Sequence, residues 1–123
     1  MPLNVMIVDD SAAIRKILER VLRHADFQLG DVIEAGDGQE ALDKLNGTNV
    51  GLILSDINMP NMDGLELLQR VKANEAWRAL PVIMVTTEGS QDKVMQAIQL
   101  GATGYIRKPF TADQIKEKLL GIL

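Results

Sequence analysis

The side chains best placed to act together are Asp9 and Asp10, Asp56, Thr86 and Thr87, and Lys108. Each stands at or just beyond the end of a short apolar run, at residues 5–8, 50–54, 82–85 and 105–106. Three carboxylates gathered at one place repel one another, on the order of several kcal/mol in a partly buried setting, unless a cation is shared among them. With oxygen donors only, and no cysteine in the chain, hard-ion rules favour Mg²⁺, which takes one or two carboxylates at ~2.0–2.1 Å and keeps several waters; zinc is disfavoured. A metal with open positions, a lysine ammonium and a threonine hydroxyl are the parts that stabilise a phosphoryl group in transfer. An aspartate beside them can serve as the covalent nucleophile.

Such a constellation needs a scaffold that brings strand ends together. The runs at 5–8, 32–33, 50–54 and 82–85, with a weaker one at 105–106, alternate with longer amphipathic segments. Three of these runs are apolar without alternation, as in parallel strands covered by helices on both faces. Between them Ile14, Ile17, Leu18, Val21 and Leu22 fall on one helical stripe, as do Leu65, Leu68 and Val71, and then Val94, Ala97 and Ile98. Thr111 with Gln114 forms a capping box, Phe110 with Ile115 a hydrophobic staple, and Gly101 suits a left-handed helix end. Right-handed crossovers then stack helices on both faces of one sheet. The expected fold is α/β, a doubly wound five-stranded parallel sheet with five helices. Its ligand site should lie outside the carboxyl ends of the strands.

Each residue also has a plainer reading. An aspartate after a strand is often the N-cap of the next helix, which fits Asp10 before Ser11, and Asp63-Gly64 reads as a turn opening the third helix. Lys108 alone would be a solvated lysine before a proline. Capping does not explain acids, a hydroxyl and a lysine at four strand ends together. His24 reads as an incidental surface residue, and the six methionines as core gap-fillers, Met6, Met59 and Met84 above all. Trp77 is expected to cap the core beneath a loop.

A length of 123 residues fits one domain. The composition, 46% hydrophobic and 24% charged, is that of a folded globular chain. A net charge of −4 gives no basic stripe for nucleic acid. No apolar run approaches the ~18 residues of a membrane span, and the N-terminal segment lacks the basic flank of a signal peptide. With no cysteine, a cytoplasmic home is expected.

The segments VDDS at 8–11, SDINMPNMDG at 55–64, VTTEG at 85–89 and GYIRKPF at 104–110 resemble, in order and spacing, the receiver domain of two-component response regulators. The likeness spans essentially all of 1–123 and is greatest to the single-domain chemotaxis type. It implies a flavodoxin-like strand order, 2-1-3-4-5, and a phosphoacceptor domain. In that family pattern Asp56 takes the phosphoryl group, while Asp9, Asp10, Asp56 and the backbone carbonyl of Asn58 hold Mg²⁺. Thr86 and Lys108 contact the phosphoryl oxygens, Tyr105 is an aromatic switch coupled to Thr86, and the Lys108-Pro109 peptide is cis. Asn58 and Glu88 occupy the positions that tune the lifetime of the phosphorylated state. Ile57 departs from the bulky aromatic common after the phosphoacceptor, and Thr87 is larger than the alanine or glycine usual there.

The resemblance further implies a histidine kinase or phosphotransfer protein as donor, a downstream protein target, and an output face formed by the fourth helix, fifth strand and fifth helix. The chain would be a switch with self-directed phosphoryl chemistry and no other enzymatic activity. A phosphohydrolase of the haloacid-dehalogenase kind would need D-x-D-x-T after the first strand, which Val8-Asp9-Asp10-Ser11 does not supply. A flavin carrier would need a Ser/Thr/Gly-rich phosphate loop where this chain has two acids.

Overall fold

The computed structural model describes residues 2–24, 28–87 and 91–122. Along these, strands and helices alternate: β1 (Leu3–Val8), α1 (Ala12–Arg23), β2 (Leu29–Ala35), α2 (Gly38–Leu45), β3 (Leu52–Ser55), α3 (Gly64–Ala73), β4 (Val82–Thr86), α4 (Gln91–Gln99), β5 (Gly104–Arg107) and α5 (Ala112–Ile122). All four pairings are parallel, in the order β2-β1-β3-β4-β5, as the resemblance implied.

The central strands are mostly apolar, with Asn4, Ser55 and Thr86 as the polar exceptions, as strands buried on both faces should be. On one face Met6, Val8, Ile53, Val82 and Met84 pack with Ala41, Leu45, Leu68, Val71 and Ala97 from α2, α3 and α4. On the other, Val5, Ile7, Leu52, Leu54, Ile83 and Val85 pack with Leu18, Leu22, Ile115 and Leu119 from α1 and α5. Strand alternation thus divides the core in two, and the short edge strand β5 sends Tyr105 to the first half and Ile106 to the second.

The helix ends follow local chemistry. Ser11 caps α1, its hydroxyl accepting from the Ile14 N–H, so Asp10 does not have the capping place that its position before Ser11 suggested. Asp63 caps α3 through the Glu66 N–H, as its sequence context indicated. The Thr111–Gln114 box closes in both directions, at 2.9 and 3.1 Å. Gly101, at φ +106°, ends α4: its N–H reaches the Ile98 carbonyl at 3.0 Å, and the Ala102 N–H reaches that of Ala97 at 2.9 Å. This double return is the Schellman geometry.

Three expectations need correction. Ile17 and Ile98, placed on core-facing stripes, are 43% and 56% exposed. Each stands one position from a buried residue of its helix, Leu18 or Ala97, and one position is about 100° of rotation, past the edge of the sheet's cover. The third strand starts at Leu52 rather than at Val50, where its pairing with β1 begins at Val5 opposite Leu52. Met95 is 47% exposed and fills no gap, whereas Met6 and Met84 are fully buried and Met59 packs on the core. Trp77 packs against the α2–α3–α4 half of the core from the turn after α3, as expected.

Candidate functional site

The parallel register sets the carboxyl ends of β1 and β3 side by side, with Val8 opposite Ser55. Beyond that pair the Asp56 N–H donates to the Val8 carbonyl at 2.9 Å and the Asp9 N–H to Ala35 at 3.0 Å. The two acids are thereby carried past the sheet edge by its own hydrogen-bond ladder. Asp9 is buried at 2% exposure and Asp56 at 8%, while Asp10 is exposed. Carboxylate oxygens of the three lie within 4.8 Å of one another.

Lys108 reaches them from the far edge. Its N–H donates to the Thr86 carbonyl at 2.8 Å, which extends the β4–β5 ladder, and the peptide to Pro109 is cis. The ammonium donates to Asp9 Oδ2 at 2.6 Å and to Asp56 Oδ2 at 3.1 Å. The remaining oxygens are held by backbone: Asp9 Oδ1 accepts from the Ser11 N–H at 2.9 Å and Asp56 Oδ1 from the Ile57 N–H at 2.7 Å.

One ammonium serves two buried acids. Burial raises the Asp9 carboxyl above its ordinary range despite the Lys108 and Ser11 hydrogen bonds, and the neighbouring Asp56 charge adds to the rise. Burial pulls Lys108 the other way, yet its bonds to Asp9 and Asp56 and their charges outweigh it, and the ammonium is held above its ordinary value. Three carboxylates against one ammonium leave the cluster two negative charges in excess. Its donors are all oxygen and lie close together, so they fit a hard divalent cation of the Mg²⁺ kind.

The loop after β3 is pinned by close approach. Gly64 donates its N–H to the Ile57 carbonyl at 2.8 Å, and a Cβ there would stand 1.9 Å from the Asp56 carbonyl oxygen. Asn61 takes a left-handed φ of 64° and donates from its amide to Asp37 Oδ2 at 2.8 Å. Asp37 in turn caps α2 through the Glu40 N–H at 2.8 Å. Asn58, two residues beyond Asp56, is exposed.

Thr86 ends β4 with no exposed surface, and by strand alternation it shares the face of Met84, on which Tyr105 packs half-buried. Thr87 and Arg107 are exposed, and Glu88 lies outside the described residues. The sheet therefore brings Asp9, Asp10, Asp56 and Lys108 into one cluster, with Thr86 at the adjoining strand end. Sequence reasoning missed Arg15, whose guanidinium donates to the Asp9 carbonyl at 2.6 Å and to Glu34 Oε1 at 3.0 Å. It also missed the Asp37–Asn61 tie. A polar residue in the first turn of α1 carries no mark of what β2 will set opposite it.

Residues 5–120 match the family described as the response regulator receiver domain. The chain is 42% identical over 117 residues to the chemotaxis protein CheY of Pseudomonas aeruginosa, covering 95% of this chain and 93% of that one. Its structure superposes on that of Vibrio cholerae CheY4 with a TM-score of 0.89, at 35% identity over the whole of both chains. It superposes on a chain of the CheX–CheY–BeF3–Mg complex from Borrelia burgdorferi with a TM-score of 0.88, at 30% identity, covering 99% of this chain and 90% of that one. With its strand order, its strand-end acids and these likenesses in hand, the chain belongs to the response regulator receiver domain family of two-component signalling.

Proposed function

We propose that this chain is a phosphorylation-controlled switch that accepts a phosphoryl group on Asp56 from the phosphohistidine of a histidine kinase or phosphotransfer protein. The observation that carries the reading is the Asp56 carboxylate, 3.1 Å from the Lys108 ammonium within an acid cluster that is short of positive charge. Asp9, Asp10, Asp56 and the backbone carbonyl of Asn58 would hold Mg²⁺, which supplies charge stabilisation to the phosphoryl oxygens and offsets the repulsion among the acids. An Asp56 oxygen attacks phosphorus, the P–O bond forms as the P–N bond breaks, and the imidazole leaves to take up a proton. Lys108 then exchanges an aspartate oxygen for a phosphoryl oxygen, and Thr86 donates its hydroxyl to another. Water attacking phosphorus breaks the Asp56 O–P bond and releases inorganic phosphate, which returns Asp56 at a rate set by access past Asn58 and Glu88. The chemistry is self-directed; the product is a changed surface on α4, β5 and α5, read by a downstream protein. The working compartment is the cytoplasm. The reading is supported by the family membership and by the relative solved with BeF3 and Mg.

The test is acid-labile labelling by a small acyl phosphate. Unsubstituted protein should label only with Mg²⁺ present, and Asp56→Asn should not label. Metal-independent labelling, or full labelling of the variant, overturns the assignment. A bulky residue in place of Asn58 should slow decay of the label, and unchanged decay in both that variant and Glu88→Ala removes the lifetime role.

A further inference from the structure

We infer that Arg15 is a positioning residue for the acidic turn, holding the Asp9–Asp10 peptide so that Asp10 faces the cation site. The inference rests on the Mg²⁺ reading above and adds to it a residue outside the ligand set. Arg15 lies in the first turn of α1 with its side chain 19% exposed. Its guanidinium forks, donating from Nη1 to the Asp9 carbonyl at 2.6 Å and from Nε to Glu34 Oε1 at 3.0 Å. Glu34, on β2, is fixed in turn by Lys16 at 2.9 Å. A planar fork suits two acceptors set at an angle, which a lysine cannot match.

Asp9 itself does not need this help. Its backbone N–H is in the ladder, and both carboxylate oxygens have donors. Its carbonyl, however, belongs to the peptide unit that carries the Asp10 N–H, so the orientation of that plane decides where the exposed Asp10 begins. Charge alone argues the opposite sign: a cation near the site should weaken Mg²⁺ binding, and its removal should tighten it. The ion pair with Glu34, whose charge is shared with Lys16, offsets part of that repulsion, and the geometric role is left to dominate.

The experiment compares Mg²⁺ dissociation constants, by calorimetry on chelator-treated protein, for the unsubstituted chain, Arg15→Met, Arg15→Lys and Glu34→Gln. Thermal melting in chelator checks that each variant is folded. Loss of a group that orients a metal ligand weakens binding by roughly 10–100-fold, and Arg15→Met should fall near the lower end. Arg15→Lys should recover part of the loss, and Glu34→Gln should weaken binding less than Arg15→Met. An unchanged or tighter constant in folded Arg15→Met overturns the inference. Should that variant not fold, an unchanged constant in Glu34→Gln overturns it equally. If the unsubstituted chain shows no saturable Mg²⁺ binding, or Asp56→Asn binds as tightly as it does, the Mg²⁺ reading itself has failed.

Discussion

At the residue scale the cluster is a charge problem solved halfway. Lys108 neutralises one of three carboxylates, and burial makes the ionised form of Asp9 costly. Because the folded carboxyl of Asp9 lies above its ordinary 3.8, its contribution favours the fold below 3.8 and is lost as pH rises through the raised value. Metal-free protein should therefore carry a stability cost at neutral pH that bound Mg²⁺ offsets. Asp10 is exposed and caps no helix, so Asp10→Asn removes like-charge repulsion and breaks no hydrogen bond of α1. Melting in chelator should show a higher midpoint for this variant than for the unsubstituted chain. Saturating Mg²⁺, at about a hundred times its dissociation constant, should stabilise the unsubstituted chain by about 2.7 kcal/mol and the variant by clearly less. A lower metal-free midpoint would show Asp10 to be structural. The acids and the lysine were legible in the sequence because each ends an apolar run. Arg15 was not, because its partners, a carbonyl and a glutamate on the next strand, are chosen by the β1–β2 register and not by spacing.

At the element scale, the loop that presents Asp56 is braced against the start of α2. Asp37 does two jobs, capping that helix and receiving the Asn61 amide, while the Gly38 N–H donates to the Met62 carbonyl at 3.0 Å. Asp37→Ala should cost roughly 1 kcal/mol for the cap and should also weaken Mg²⁺ binding. Asn61→Gly keeps the left-handed backbone without the amide and should affect mainly the second quantity. Chemical denaturation and calorimetry separate the two. The Glu40 backbone N–H, and then the Asn61 amide, hold the Asp37 carboxyl below 3.8. Its contribution is thus present above 3.8 and is lost as pH falls through the lowered value. Gly64→Ala is the harsher change, since the new Cβ meets backbone and not a movable side chain. It should cost at least the ~1–3 kcal/mol of ordinary overpacking and displace the Asp56 carbonyl. Equal stability of this variant in urea would refute the close approach. The turn at 63–64 was visible from Asp63-Gly64, but the contact that forbids a side chain was not, because it spans the fold of the loop onto Asp56.

At the scale of the whole molecule, the sheet separates two half-cores, and the path we propose from site to surface runs along one of them. Thr86 shares its face with Met84, and Met84 pairs in register with Tyr105 on β5. Tyr105 packs on the half-core that includes Ala97 of α4, whereas Ile106 belongs to the half beneath α1 and α5. On the outer side of α4, Met95 and Ile98 are exposed, and a groove of about 560 Å³ between β5 and α5 is lined by Tyr105, Gln114, Lys118 and Ile122. We propose that a small displacement of Thr86 toward a phosphoryl group repacks Tyr105 against α4 without disturbing the sheet. A bias of ~1.4 kcal/mol between two ring positions changes their population ratio tenfold, so no larger rearrangement is required. Amide NMR shifts with and without beryllofluoride and Mg²⁺ should change from Asp56 through Thr86 to Tyr105 and along residues 95–100. Shifts around Leu18 and Leu22, on the other face, should stay nearly constant. At saturating mimic, Thr86→Ala should cut the spread, and Tyr105→Phe should retain it, since packing of the ring carries the coupling. Changes confined to the acid cluster, or reaching α1 as strongly as α4, would show that the signal does not travel through the Thr86 face of the sheet.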